Sequence, residues 1–278
     1  MQTKTKIIGI SGKAGHGKDT AADWLIRKYS GTHYIEKKSW AHKLKMIVAI
    51  LSETTLEQNL TAEGKKIMSP LFGLTLGEMQ QKVGTGLRQV VDEKLWIKSL
   101  FIDHTHNANM LENSSKFDNI VAIITGATPE QIQNPQSVWL PQFDTTLQNF
   151  CSALESGIKT ILGNSSWNFL IHDCKLAQCT IESLTKNSSK PVDPGTQVLW
   201  IVTDSRFPNE VESIENSGGN VVRIERPGFL IRDGRDNNHI SETALDNHCF
   251  KNKIINNGTL EEFIKKVEQV FEPFMTQD

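Results

Sequence analysis

A chain of 278 residues with 38% hydrophobic content can bury one substantial core, either as a single large domain or as a domain carrying an insertion. Its net charge is −2 and its 30 basic residues are scattered, which argues against the basic stripe of a nucleic-acid binder and points to small-molecule partners. Four cysteines without C-x-x-C spacing fit a reducing compartment, and no apolar run approaches the length of a membrane span or a signal peptide. The expectation is a cytoplasmic protein that uses neither nucleic acid nor membrane as a partner.

In chain order, Ile7 to Ile10 reads as a buried strand, followed by a glycine-rich turn and a helix with Ala21, Ala22, Trp24, Leu25 and Tyr29 inward. A second helix is expected from Ser39, as N-cap, through Leu44, Ile47, Val48 and Leu51. A third opens at the capping box of Thr75 and Glu78 and is broken by "GTG" at 84–86; a fourth follows Asp92 as N-cap, with Leu95, Trp96, Ser99 and Leu100 on one face. From about 105 to 195 polar residues become frequent. This stretch reads as an insertion, with a strand at 119–125, helices at 147–162 and 167–184, and a linker at 187–196.

The α/β rhythm then resumes with a strand at 197–203, a helix at 208–216, a strand at 221–225, a last strand "NKIIN" and a helix opened by Thr259 and Glu262. No internal repeat stands out. β-Branched strands alternating with helices imply an α/β fold with a central parallel sheet flanked by helices on both faces. The discontinuous core spans about 1–104 and 196–278.

The run Gly12, Lys13, Ala14, Gly15, His16, Gly17, Lys18 matches G-x-x-x-x-G-K between a strand and a helix, the context in which backbone N–H groups and a lysine cradle phosphates. Asp19 follows where a hydroxyl is usual. A carboxylate there can position magnesium or simply cap the helix, and Thr20 is one residue out of register. Asp204 ends an apolar strand, where a parallel sheet presents metal- or substrate-organising carboxylates. Arg206 either projects into the same crevice or pairs with Glu210.

Arg223, Arg226, Arg232 and Arg235, with Gly228 and Gly234 between them, form either a mobile flap that stabilises charge or a solvated loop. Arg88 suits a bidentate grip on a monophosphate; Lys43 and Lys45 are less specific. Asp103, His104 and His106 resemble a metal cluster but lack a further ligand, and His239 with Ser241 reads as a helix entry.

Together "GKAGHGKDT", "QKVGTGLRQVVDEKLWIK", "TDSRFPNEVESI", "VVRIERPG", "HISETAL" and "IINNGTLEEF" resemble the bacteriophage type of deoxynucleoside monophosphate kinase, over roughly 1–104 and 196–275. In that family an aspartate after the loop lysine is usual. The resemblance implies a P-loop kinase fold with a lid, ATP as donor and Mg²⁺, the metal near Asp19 and Asp204. It also implies Arg88, Lys43, Trp96 and Arg206 on the acceptor side, Arg226 or Arg232 acting from the lid, and Asn257 in "INNG" bordering the donor adenine. The 105–195 segment exceeds the family's short connection and leaves room for a homodimer. The expected reaction is transfer of the γ-phosphoryl group to a deoxynucleoside 5′-monophosphate; a phage-encoded chain would act in the host cytoplasm. A kinase of another phosphate-bearing acceptor, such as dephospho-coenzyme A or phosphomevalonate, and a non-catalytic nucleotide-binding protein are the rivals.

Overall fold

The computed structural model describes residues 5–102, 115–164, 170–171, 197–229 and 240–276. In chain order its elements are β1 (Thr5–Ser11), α1 (Lys18–Tyr29), β2 (Tyr34–Lys38), α2 (His42–Ser52), α3 (Leu56–Leu60), β3 (Met68–Ser69), β4 (Leu74–Thr75), α4 (Leu76–Val90) and α5 (Leu95–Leu100). There follow α6 (Lys116–Thr125), α7 (Pro129–Gln133), β5 (Trp139–Leu140), β6 (Thr145–Thr146), α8 (Leu147–Leu162), β7 (Val198–Ser205), α9 (Pro208–Asn216), β8 (Asn220–Glu225), α10 (Ile240–Thr243), β9 (Asn252–Ile255) and α11 (Leu260–Thr276). The chain divides into two compact units, residues 1–40 with 191–278 and residues 41–190. Among the described residues no helix is long and apolar enough to cross a membrane.

The first unit is built on a five-stranded sheet of order β2-β7-β1-β8-β9, parallel at every pairing. The alternation of a strand assigns its two faces. Ile8 and Ile10 of β1 pack with Ala21, Ala22 and Leu25 of α1 and with Phe263, Val267 and Phe271 of α11. Gly9, pointing the other way, leaves space that Ile214 of α9 and Val221 fill. Helices therefore cover both faces, as a parallel sheet requires, and the architecture is consistent with a P-loop kinase-like fold. α11 starts where the sequence indicates: Thr259 N–H donates to Glu262 Oε2 (2.8 Å) and Glu262 N–H to Thr259 Oγ1 (3.3 Å).

The second unit is helical, with two small hairpins, β3 with β4 and β5 with β6. One core joins Ile47, Val48, Leu76, Met79, Val83 and Leu87 with Ile120, Ile124, Leu147, Phe150, Leu154 and Ile158. Within this unit the apolar sides of 42–100 and 116–162 close on each other.

Several local expectations are corrected. Residues 119–125 are helix rather than strand: Ser115 and Asp118 make a capping box, and Ile120 to Ile124 are buried without interruption, a pattern that periodicity cannot separate from a buried strand. "GTG" does not break α4, which runs from Leu76 to Val90. Its glycines serve packing, since a Cβ on Gly84 would lie 2.7 Å from Leu44 Cδ2 and one on Gly86 2.6 Å from Ile161 Cδ1. Helix α5 begins at Leu95 rather than after Asp92, whose carboxylate accepts from Lys94 N–H (2.7 Å). α2 begins at His42, because Ser39 spends its hydroxyl on Asp204 (2.6 Å). The expected helix at 167–184, the linker at 187–196 and the cluster of Asp103, His104 and His106 lie wholly or almost wholly outside the described residues.

Leu154 is fully buried in the shared core. Leu154→Ala should lower stability by roughly 2–5 kcal/mol in denaturant titration; a loss below about 1 kcal/mol would show that this position can collapse or lies outside the core.

Candidate functional site

β1 is the middle strand, and its C-terminal tip is pinned on both sides: Ser11 Oγ donates to Ser205 O of β7 (2.9 Å), and Arg223 Nη1 of β8 donates to Ser11 Oγ (3.1 Å). The loop leaving this tip is threaded where side chains do not fit. A Cβ on Gly12 would stand 2.5 Å from Ile224 O, and one on Gly17 2.9 Å from Asn256 Nδ2. Gly17 also has φ 104°, in the left-handed region that glycine tolerates.

His16 fixes the loop from within. Its ring is buried, with Nδ1 3.2 Å from the Arg226 N–H and 3.3 Å from the Ile224 carbonyl oxygen, and Asn256 Nδ2 donates to the His16 carbonyl (3.0 Å). Burial holds its pKa below the ordinary histidine value, against the pull of the Ile224 carbonyl and with the help of the charges of Lys18, Arg223 and Lys13.

Lys18 opens α1, is buried, and donates through Nζ to Lys13 O (2.8 Å). Its pKa is pushed down to about 8, chiefly by burial and then by the charge of Arg206, against the pull of Asp19, Glu242 and Asp204. Glu242, on α10, completes the arrangement. Its Oε2 accepts from Ala14 N–H of the loop (3.0 Å) and its Oε1 pairs with Arg206. Burial raises the Glu242 pKa, but Arg206 and the Ala14 amide outweigh it and hold the carboxyl below the usual range. Four residues on, Asp246 pairs with Lys13 (2.7 Å) and Arg223 (3.4 Å). The loop therefore already holds an oxyanion on a backbone N–H beside a buried ammonium, an arrangement suited to anionic ligands.

The carboxylates expected at a metal take different positions. Asp204, at the end of β7, accepts from Ser39 Oγ (2.6 Å) and Trp40 N–H (3.0 Å), tying the end of β2 to the sheet. Asp19, in the first turn of α1 beside Thr20, is 77% exposed in its side chain and pairs with Lys37 (3.0 Å). Both carboxylates act electrostatically on Lys18. Among the described residues no group of three or more His, Cys, Asp or Glu is placed to hold a metal.

Arg206 projects its guanidinium to Glu242, while Glu210 accepts from the backbone N–H of Arg206 (2.8 Å) and Phe207 (3.2 Å). Arg226 lies over the ring of Phe229, 4.4 Å from its centroid. Asn257 Oδ1 accepts from Lys266 (2.9 Å), and its neighbour Asn256 is the residue that reaches the loop. Arg232, Arg235 and His239 lie outside the described residues.

In the second unit, Arg88 sits in the last turn of α4 with Nε donating to Glu93 O (3.3 Å). Lys43 is buried rather than on the surface and donates to Ser99 O. Trp96 is buried, its indole N–H on Gly84 O (3.0 Å). Glu242, Asp246 and Asn256 were missed in the sequence. No local pattern in "HISETALD" or "INNG" marks them as partners of the loop.

No family model matches the chain. A stretch of 68 residues, 24% of this chain, is 34% identical to the "Putative deoxynucleotide monophosphate kinase" of Acanthamoeba polyphaga mimivirus. The aligned stretch takes in 33% of that protein's length.

The Lys18 ammonium makes a pH prediction. Folded, it loses its proton near pH 8; unfolded, it keeps it to about 10.5. Between these values the unfolded chain binds more protons, so this residue makes stability rise with pH across that window. NMR titration of the Lys18 side chain should give a midpoint near 8, and Lys18→Met should flatten the rise in stability. A midpoint above 10 would mean that the ammonium is solvated.

Proposed function

We propose that the chain is a kinase that transfers the γ-phosphoryl group of ATP to a deoxynucleoside 5′-monophosphate. The observation that carries the reading is the loop of Gly12 to Lys18, whose Ala14 N–H already holds the Glu242 carboxylate beside the buried Lys18. A triphosphate would take over that N–H and offset the cost of the buried Lys18 charge, while Arg206, released from Glu242, would meet the charge that builds on the transferred group. The partial likeness to the mimivirus protein supports a kinase and leaves the acceptor to the site.

The acceptor's phosphate oxygen is itself the nucleophile, so catalysis asks for placement and charge stabilisation rather than a strong base. Arg88 is the candidate for a two-point grip on the acceptor phosphate. The carboxylates of Asp19 and Asp204 are hard oxygen donors and fit Mg²⁺, directly or through water. When bound, that ion would neutralise charge on the phosphates. Arg226 and Arg232 remain candidates for the lid, and Lys43 and Trp96 support α5 and α4 in the proposed acceptor region. A cytoplasmic location is part of the same proposal.

The test is ADP release measured with every deoxy- and ribonucleoside monophosphate. ADP should appear only when a deoxynucleoside monophosphate is present. ADP formed without an acceptor, or only with a non-nucleotide acceptor, would overturn the reading.

Lys18→Ala should stay folded and lose turnover by about 10²-fold or more, the usual scale for a lost transition-state charge contact; near wild-type turnover would remove the loop from catalysis. Asp19→Asn should raise the magnesium concentration for half-maximal rate, because Asn keeps the shape of the side chain but is a poorer ligand. Asp19 does not cap α1, whose N-cap is Gly17, so an unchanged titration leaves it only the electrostatic role of a first-turn carboxylate paired with Lys37.

A further inference from the structure

The second unit contains the internal repeat that the sequence does not announce. Lys43, Ile47, Val48, Ala49, Ile50, Thr55, Glu57 and Gln58 recur, in the same spacing, as Lys116, Ile120, Val121, Ala122, Ile123, Thr128, Glu130 and Gln131. After a length change, Pro70, Phe72, Thr75, Leu76 and Gly86 recur as Pro141, Phe143, Thr146, Leu147 and Gly157.

The structure repeats step for step. α2 and α6 are each followed by a left-handed residue, Glu53 (φ 54°) and Gly126 (φ 71°). Thr55 and Thr128 then make capping boxes with Gln58 and Gln131, which open the short helices α3 and α7. Each copy next forms a two-residue hairpin with a left-handed turn residue, Gly73 (φ 60°) and Asp144 (φ 51°). Leu76 N–H donates to Ile67 O (2.9 Å) as Leu147 N–H donates to Val138 O (2.8 Å), and Thr75 and Thr146 cap α4 and α8. At each left-handed position one copy has glycine and the other does not, so the shared feature is the backbone path.

The packing of α4 on α8 is reciprocal. A Cβ on Gly86 would lie 2.6 Å from Ile161 Cδ1, and one on Gly157 2.9 Å from Val90 Cγ2. Gly86 corresponds to Gly157, and Val90 to Ile161. If residue i of one copy meets j of the other, the counterpart of i meets the counterpart of j, which is the signature of an isologous twofold interface between identical subunits. The copies differ where Arg88 becomes Lys159, which pairs with Glu155.

We propose that residues 116–162 are a second copy of the module formed by residues 43–91 and act as a built-in partner subunit. Through α8 they cover the α4 face with which a single-module chain would pair with a second copy of itself. The inference is independent of the catalytic reading.

Double-mutant cycles in the full chain test it. Gly86→Ala with Ile161→Ala, and Gly157→Ala with Val90→Ala, should each destabilise less than the sum of their single changes. The crossed pairs, Gly86→Ala with Val90→Ala and Gly157→Ala with Ile161→Ala, are i,i+4 neighbours on one helix and should couple less than the matched pairs. Coupling in only one matched pair, or coupling as strong in the crossed pairs as in the matched ones, would overturn the twofold arrangement. Native-state hydrogen exchange on the unaltered protein decides the matter even where a glycine variant fails to fold. The amides of α4 and α8 should exchange through one shared opening; an opening that exposes α8 while α4 stays protected would contradict a partner-like interface.

Discussion

The loop from Gly12 to Gly17 can lie where it does only because Gly12 and Gly17 carry no side chain. At Gly12 the backbone passes the Ile224 carbonyl too closely for any Cβ, and at Gly17 it turns left-handed against Asn256 and Phe263. That close approach draws the loop onto β8 and the start of α11, turns the Ala14 amide toward Glu242 and buries Lys18. Burial in turn depresses the lysine's pKa, leaving an ammonium whose charge is costly until an anion arrives. A phosphate would relieve that cost, so the same geometry that lowers the pKa is the proposed source of affinity.

This part of the site was legible because it is local. Spacing of glycines, a lysine and the flanking strand and helix fit in one short window of sequence, and β1, α1, α9, β8 and α11 follow from patterns of the same range. Glu242, Asp246 and Asn256 were not legible. Each reaches the loop from more than two hundred positions away, and nothing local in "HISETALD" says that its glutamate will rest on the amide of Ala14. The resemblance points to Asn257 while Asn256 reaches the loop, and the reason is the same: adjacent identical side chains are told apart only by the direction of the backbone as it leaves β9.

Glycine also carries two meanings that a sequence does not separate. In the loop it permits a conformation; in α4 and α8, Gly86 and Gly157 permit two helices to approach, and α4 continues unbroken through "GTG". The apolar run of 119–125 is ambiguous in a similar way, since burial on all sides erases the period that distinguishes helix from strand. Duplication hides behind these ambiguities. A length change separates its two conserved blocks, and its left-handed positions alternate between glycine and other residues, so the backbone repeats more faithfully than the side chains.

The proposed activity requires that one chain hold two phosphate-bearing nucleotides in line for transfer. It is tested most directly by calorimetric titration with adenosine joined to a deoxynucleoside through a 5′,5′-pentaphosphate, across the deoxynucleosides, against ATP alone. Because such a ligand spans both sites and is preorganised by its own linkage, at least one of the set should bind about 10²-fold more tightly than ATP or beyond. Binding no tighter than ATP by every member would contradict a second nucleotide site aligned with the loop.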